Sequence, residues 1–157
     1  MDRKIAADTK SPFNEDNQML DWQQSIIDLL DEEPDRRIIH WYYGEGIYYD
    51  ILDITKHMIM EYESVGLCSP TANKANQQSI ARYIKRTGLS PKMILFNLTD
   101  SKISRRTYQI IEEQKNAMFY VKGQPIIYKS PHVVVLSTLP PDTSMYSEGK
   151  LKIVHIE

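Results

Sequence analysis

The chain has a single cysteine, Cys68, in 157 residues, so it holds no intramolecular disulfide. That suits a reducing compartment. Cys68 ends the short apolar run Val65-Gly66-Leu67-Cys68 and has no neighbouring base, so it reads as a small buried hydrophobe. Neither sign of charge dominates: 19 basic and 21 acidic residues leave a formal net charge of −2. The molecule is no polycation, and any grip on nucleic acid must come from a local basic patch. No apolar run approaches a membrane span, and the first residues lack the apolar core of a signal peptide. A soluble, intracellular protein with no membrane partner is expected. The four histidines, at 40, 57, 132 and 155, are not spaced as a metal set, so no metal site is expected. No internal repeat is present.

What remains is ordinary for one globular domain, with 41% hydrophobic and 25% charged residues. Residues 1–18 are polar and aperiodic and read as a flexible leader. Residues 19–35 form a helical segment: Leu20, Ile26, Ile27, Leu29 and Leu30 give an apolar face, with Asp21 as N-cap. Residues 36–157 form the main domain. Its first strand is the continuous run from Arg36 to Tyr43, as expected for a strand buried on both faces. Gly44-Glu45-Gly46 breaks that run. A helix over 50–63 follows, with Ile51, Ile54, Met58 and Tyr62 on one face. Then come a short strand at 65–68, a polar stretch from Asn73 to Gln78 that leads into a helix ending at Thr87 and capped by Gly88, and a buried strand over 92–98. A helix over 104–117 leads to a hairpin, Phe119-Tyr120-Val121 and Ile126-Ile127-Tyr128, with Lys122-Gly123 at its turn. Strands over 132–136 and 151–156 complete the domain. Strands alternating with helices predict an α/β fold with a mainly parallel sheet and an inserted antiparallel hairpin.

Several local words occur in this order that resemble a known family. They are Trp22-Gln23-Gln24, the stretch from Leu29 to Arg36, the strand Arg37 to Tyr43, Ile111-Glu112-Glu113-Gln114-Lys115-Asn116, Ser130-Pro131-His132-Val133-Val134-Val135, and Pro141-Asp142-Thr143-Ser144. Together they resemble the superfamily 3 helicase domain of Rep replication initiators of small circular single-stranded DNA viruses. The resemblance covers about residues 20 to 157 and implies a P-loop NTPase-like fold acting in the nucleus or cytoplasm of a host cell. In the intact family ATP and Mg²⁺ are the cofactors. No His-hydrophobe-His pair is present, which the family's nicking domain would need for its metal. The helical segment at 19–35 lies where the family carries a collar for oligomerisation, or it packs on its own domain.

The resemblance also says which residues the chemistry would need. A phosphate loop uses glycines to bring backbone N–H groups to phosphates, a Lys for the β- and γ-phosphates, and a Ser or Thr for Mg²⁺. Gly44, Glu45 and Gly46 keep a fragment of such a loop, but the Gly-Lys-Ser/Thr positions are held by Tyr49, Asp50 and Ile51. Asp50 repels phosphate where a Lys should attract it. The acidic metal-holding position at the end of the 92–98 strand is Asn97, which is isosteric but neutral; the bland reading, a strand-end cap, is favoured. Asp100 lies three residues on. Thr138 stands at the polar sensor position and Lys150 at that of the arginine finger, although Lys lacks the bidentate fork. Four departures on one pathway predict a degenerate ATP site with no cofactor, because positioned charge is nearly all a protein contributes to phosphoryl transfer.

The hairpin resembles the element that touches single-stranded nucleic acid in superfamily 3 rings. Lys122, Lys129 and Tyr120, with Tyr128 beside them, are the candidate contacts for single-stranded DNA or RNA. The alternative, a solvated hairpin with its tyrosines packed on the core, stays open. The runs Arg82, Lys85, Arg86 and Arg105, Arg106 read as solvated faces. Four functions are carried forward. They are a Rep-like domain retaining nucleic-acid binding or self-association, a dead subunit that assembles with intact Rep subunits, a relic without a role, and an active ATPase using Lys56.

Overall fold

The computed structural model describes residues 3–99 and 102–157; Asp100 lies outside them. The central sheet comprises β1 (Ile39–Tyr43), β2 (Val65–Cys68), β3 (Met93–Asn97), β6 (His132–Ser137) and β7 (Leu151–His155) in the order β2-β3-β6-β1-β7. Every pairing in it is parallel. A separate antiparallel hairpin is formed by β4 (Met118–Val121) and β5 (Gln124–Ile127). The helices are α1 (Asp21–Asp28), α2 (Tyr48–Glu61), α3 (Asn73–Thr87) and α4 (Arg105–Asn116). This is the expected α/β fold with a parallel sheet and an inserted hairpin.

The two-residue period of the strands sorts their side chains into two layers. Ile39, Trp41, Ile94, Phe96, Val133 and Val135 meet α3, α4 and the hairpin on one face. Tyr42, Met93, Leu95, Val134 and Leu136 meet α1 and α2 on the other. Since α2 leaves β1 toward one face and α4 leaves β3 toward the other, the crevice between them opens at the carboxyl ends of the strands, over β6.

Local hydrogen bonding moves three expected boundaries. The first strand starts at Ile39, not Arg36, because Arg37 N–H donates to the Asp35 carboxylate at 2.9 Å and Ile38 N–H to the Asp35 carbonyl at 3.2 Å, closing a turn. The N-cap of α1 is Leu20, not Asp21: the Gln23 side-chain oxygen accepts from Leu20 N–H at 2.8 Å. Asp21 then sits in the first turn, where a carboxylate suits the helix dipole. Helix α2 begins two residues early, at Tyr48.

Residues 3–17 contain no helix or strand and lie along α2. The Arg3 guanidinium donates to the carbonyls of Ile59, Tyr62, Glu63 and Val65, which satisfies acceptors that the end of α2 leaves open. Ser11 Oγ lies 2.7 Å from His57 Nδ1, and Asn17 donates to Asp53 at 3.1 Å. No helix among the described residues is long and apolar enough to cross a membrane.

On the α1 side of the sheet, His40 and His132 pack with ring centroids 6.3 Å apart, and His132 Nε2 lies 2.8 Å from the Glu32 carbonyl. Burial, with His132 beside it, lowers the His40 pKa to about 4. Burial also lowers that of His132. The unfolded chain therefore takes up these protons first. Their stabilisation is complete above about pH 6.5 and is lost as pH falls toward 4. The urea midpoint is expected to drop between pH 6.5 and 5, before the carboxylates titrate, and the His40→Gln variant should flatten that slope. An equal slope in both proteins would count against the assignment.

Candidate functional site

The crevice at the carboxyl ends is where the phosphate loop of the sequence reading would lie. Only residues 44–47 separate β1 from α2. Gly44 N–H donates to the Ser137 carbonyl at 3.3 Å, so it is already engaged. A Cβ at Gly44 would stand 2.3 Å from the Ile156 carbonyl oxygen. Ile156 in turn donates to Tyr43 O at 2.7 Å. The glycine is thus required by the close approach of the chain leaving β7. Gly46, at φ +73°, makes the turn, and Glu45 is exposed.

The remaining phosphate-loop positions lie in the first turn of α2. Tyr49 is 76% exposed, while Ile51 is fully buried in the α1–α2 layer. Asp50 places its own carboxylate near the free amides of the helix start, where an anion is stabilised. A groove of about 450 Å³ beside the loop is lined by Tyr43, Glu45, Thr138, Leu139, His155 and Glu157, among others. Tyr43 and His155 stack in it at 4.6 Å. Among the described residues no Lys or Arg lines this groove, while two carboxylates do. These residues do not fit a nucleoside triphosphate with its Mg²⁺.

Thr138 is half-buried just past the end of β6 and borders this groove. Asn97 ends β3, and its side-chain oxygen accepts from Thr99 N–H at 3.0 Å and Thr99 Oγ1 at 2.6 Å, a turn that ends the strand. Asn97 faces a second pocket, of about 470 Å³, between α2 and the leader, with Thr55 and Lys56. Lys150 is elsewhere. It precedes β7 at the amino end of the sheet, with its carbonyl accepting from Ile39 N–H at 2.8 Å and its ammonium 3.0 Å from Glu112. Gly44, Glu45, Gly46 and Thr138 therefore gather at the crevice, and Lys150 does not. Among the described residues no group of His, Cys, Asp and Glu is arranged to hold a metal ion. Cys68 is buried, which pushes its thiol pKa up to about 12 and leaves it unreactive.

The hairpin presents a different surface. Lys122 and Gly123 both have positive φ, 50° and 77°, which is the type I′ turn that matches strand twist. Phe119 faces the core with Val121 and Ile126 against it. Tyr120 is 61% exposed on the outer face, opposite Pro125, and the exposed Met118 and Ile127 form the next pair. Lys122 is exposed at the tip. Tyr128 is not available as a stacking partner: it is buried, donates to Gln114 Oε1 at 2.9 Å and meets Phe119 edge-on. Lys129 is exposed and paired with Glu33 at 2.5 Å. Sequence reasoning missed the apolar outer face of Met118, Pro125 and Ile127, although the alternation around the inward Phe119 carried the signal. The other basic runs are dispersed: Arg86 pairs with Glu63 at 2.6 Å and lies over the Tyr83 ring.

No family model matches the chain. It is similar to Para-Rep C9 of Faba bean necrotic yellows C9 alphasatellite, 26% identical over 158 residues, which are 98% of this chain and 52% of that protein. It is 23% identical to Para-Rep C6 of Subterranean clover stunt C6 alphasatellite over 159 residues, 98% of this chain and 53% of that one. It is 26% identical to Para-Rep C3 of Milk vetch dwarf C3 alphasatellite over 164 residues, 99% and 54% respectively. The chain spans about half the length of the curated relatives it matches. The likeness runs along the whole of this chain and supports a Rep-related protein.

The reason for Gly44 can be tested directly. The Gly44→Ala variant should lose about 1–3 kcal/mol in urea denaturation, because the Ile156 backbone must move. An unchanged midpoint would mean that the strand ends part without cost.

Proposed function

We propose that this chain is a Rep-like replication protein in which the P-loop-type domain no longer turns over ATP and the hairpin holds single-stranded nucleic acid. The observation that carries this reading is the outer face of the hairpin. An exposed Tyr120 beside an exposed lysine turn supplies what a flexible strand needs: a ring for a base to stack on and a cation for its phosphates. Whole-length similarity to Para-Rep proteins supports the replication context. Loss of ATP handling is supported by the engaged Gly44 amide, the acidic groove and the apolar burial of Ile51.

Two measurements test the two halves. A fluorescein-labelled fifteen-nucleotide oligo(dT) should bind saturably in low salt. Tyr120→Ala and Lys122→Gln should each weaken it by about 1–3 kcal/mol and about 1 kcal/mol respectively, with unchanged thermal melts. Equal affinity in wild type and both variants would remove the hairpin from the function. A fluorescent ATP analogue with Mg²⁺ should show no saturation up to millimolar concentration. Saturation at micromolar nucleotide would mean that the crevice takes phosphate despite its acids.

A second reading is favoured by Lys150, the cation at the finger position, which is tied to Glu112 with its side chain only 17% exposed. In this reading the chain enters a ring of intact Rep subunits, offers its neighbour no cation and slows the ring. Titrated into an active Rep, it should then lower ATPase activity; no effect would set this reading aside.

A further inference from the structure

At the root of the hairpin a pocket of about 390 Å³ collects cations that the hairpin reading does not use. Arg36 and Lys129 stand exposed at its mouth, and Ser130 and Asn116 line its wall. Lys115 is in its lining too, on the last turn of α4, and is only 1% exposed. An ammonium has three protons to donate. Among the described residues the one hydrogen-bond acceptor of Lys115 is the Pro131 carbonyl, at 2.7 Å, and no carboxylate lies within ion-pair distance. Asp35, the acid that acts on it, already accepts from Arg37 N–H, and Lys150 nearby is bound to Glu112. Arg36 has no ion pair among the described residues.

A buried cation beneath a pocket with low-dielectric walls focuses its field into that pocket. The ligand it favours is an anion rich in oxygens that Arg36 can meet. The position of the pocket narrows the class. Tyr128 N–H donates to the Ala117 carbonyl at 3.1 Å, closing the hairpin, and the exposed pair Met118–Ile127 comes next. Four strand residues, about 13 Å, then separate the pocket from the Lys122 turn. An exposed apolar and aromatic surface thus runs between two cationic ends, which a free inorganic ion would not need.

We infer that the pocket formed by Arg36, Lys115, Lys129 and Ser130 holds one phosphodiester of the single strand that lies along the hairpin, with Arg36 as the contacting cation and Lys115 as the charge beneath it. This rests on the nucleic-acid reading of the hairpin. Lys129 joins by leaving the exposed Glu33, a pair that contributes little.

Lys115 gives the site a signature. Burial, the larger effect, and Lys150 lower its pKa to about 8, while Asp35 pulls it upward. The other charged groups around it are the cations Arg36, Arg37, Lys129 and Lys150 and the acids Glu33, Asp35 and Glu112. His40 and His132 are neutral between pH 7 and 9, and Tyr128 is held protonated by burial. A bound phosphodiester stabilises the Lys115 ammonium, so affinity falls as pH rises through 8.

The test is fluorescence anisotropy of labelled fifteen-nucleotide oligo(dT) at constant ionic strength, at pH 7 and pH 9. Wild type should lose roughly tenfold in affinity across that range. The Arg36→Gln variant, changed at an exposed site, should bind about fivefold more weakly at pH 7. Lys115→Met, which fills the same space without charge, should bind weakly and without the pH dependence. Should Lys115→Met melt early, the wild-type pH slope and Arg36→Gln decide the question alone. Binding that is lost in Tyr120→Ala but unaffected by Arg36→Gln, and flat with pH, overturns the pocket and leaves the hairpin reading standing. No binding by wild type overturns both.

Discussion

β6 is buried along its whole length and hydrogen-bonded on both edges, to β1 and to β3. A strand so placed has no polar face and no free edge, and the rest of the architecture follows from that. Its alternate side chains need an apolar layer on each side, which α1 with α2 and α3 with α4 supply. Val133, Val134, Val135 and Leu136 are fully buried, each contributing about 1.5–3 kcal/mol of transfer free energy. No position along β6 is wet, so nothing on this strand can meet a ligand except at its ends.

The pockets at the two ends differ in the charges that line them. At the carboxyl end the loop after β1 and the end of the chain bring Glu45, Asp50 and Glu157 near the crevice, without a lining Lys or Arg among the described residues of its groove. At the hairpin root, Arg36, Lys115 and Lys129 converge, and Lys122 marks the turn. The net charge of −2, summed over 19 basic and 21 acidic residues, does not show this local difference. The proposed preference for nucleic acid over nucleotide rests on that contrast between the two pockets more than on any single residue after β1.

Much of the fold was legible because burial on both faces leaves a continuous apolar run, as in Ile94-Leu95-Phe96 and Val133-Val134-Val135, and amphipathic helices separate those runs. The hairpin was legible from Lys122-Gly123 between β-forming residues. What the pattern left unread depends on long-range contact. Gly44 looks like a loop glycine in sequence, yet Ile156, 112 positions later, is what forbids a side chain there. Tyr120 and Tyr128 look equivalent as flanking aromatics, but the hairpin register sends one outward while Gln114 claims the other. Lys150 matches a motif position by order along the chain, and order does not say that β7 starts at the amino end, where Glu112 waits. Asp21 was a fair cap by residue type and lost to Gln23, whose reach depends on where the helix begins.

Lys115 sharpens the same lesson in energetic terms. Removing an ammonium from water is costly, and one carbonyl acceptor returns only part of that cost. A methionine would fill the site without the penalty, and α4 already buries Ile110 and Ile111 on its packed side. The carbonyl contact alone, which ties the end of α4 to the entry of β6, contributes about 1.5–3 kcal/mol as a bond to a charged donor. That falls short of the several kcal/mol that burying an ammonium costs and leaves no surplus for structure. The pocket above it and the exposed Arg36 beside it offer what a purely structural lysine lacks: a place where an anion can complete its neutralisation.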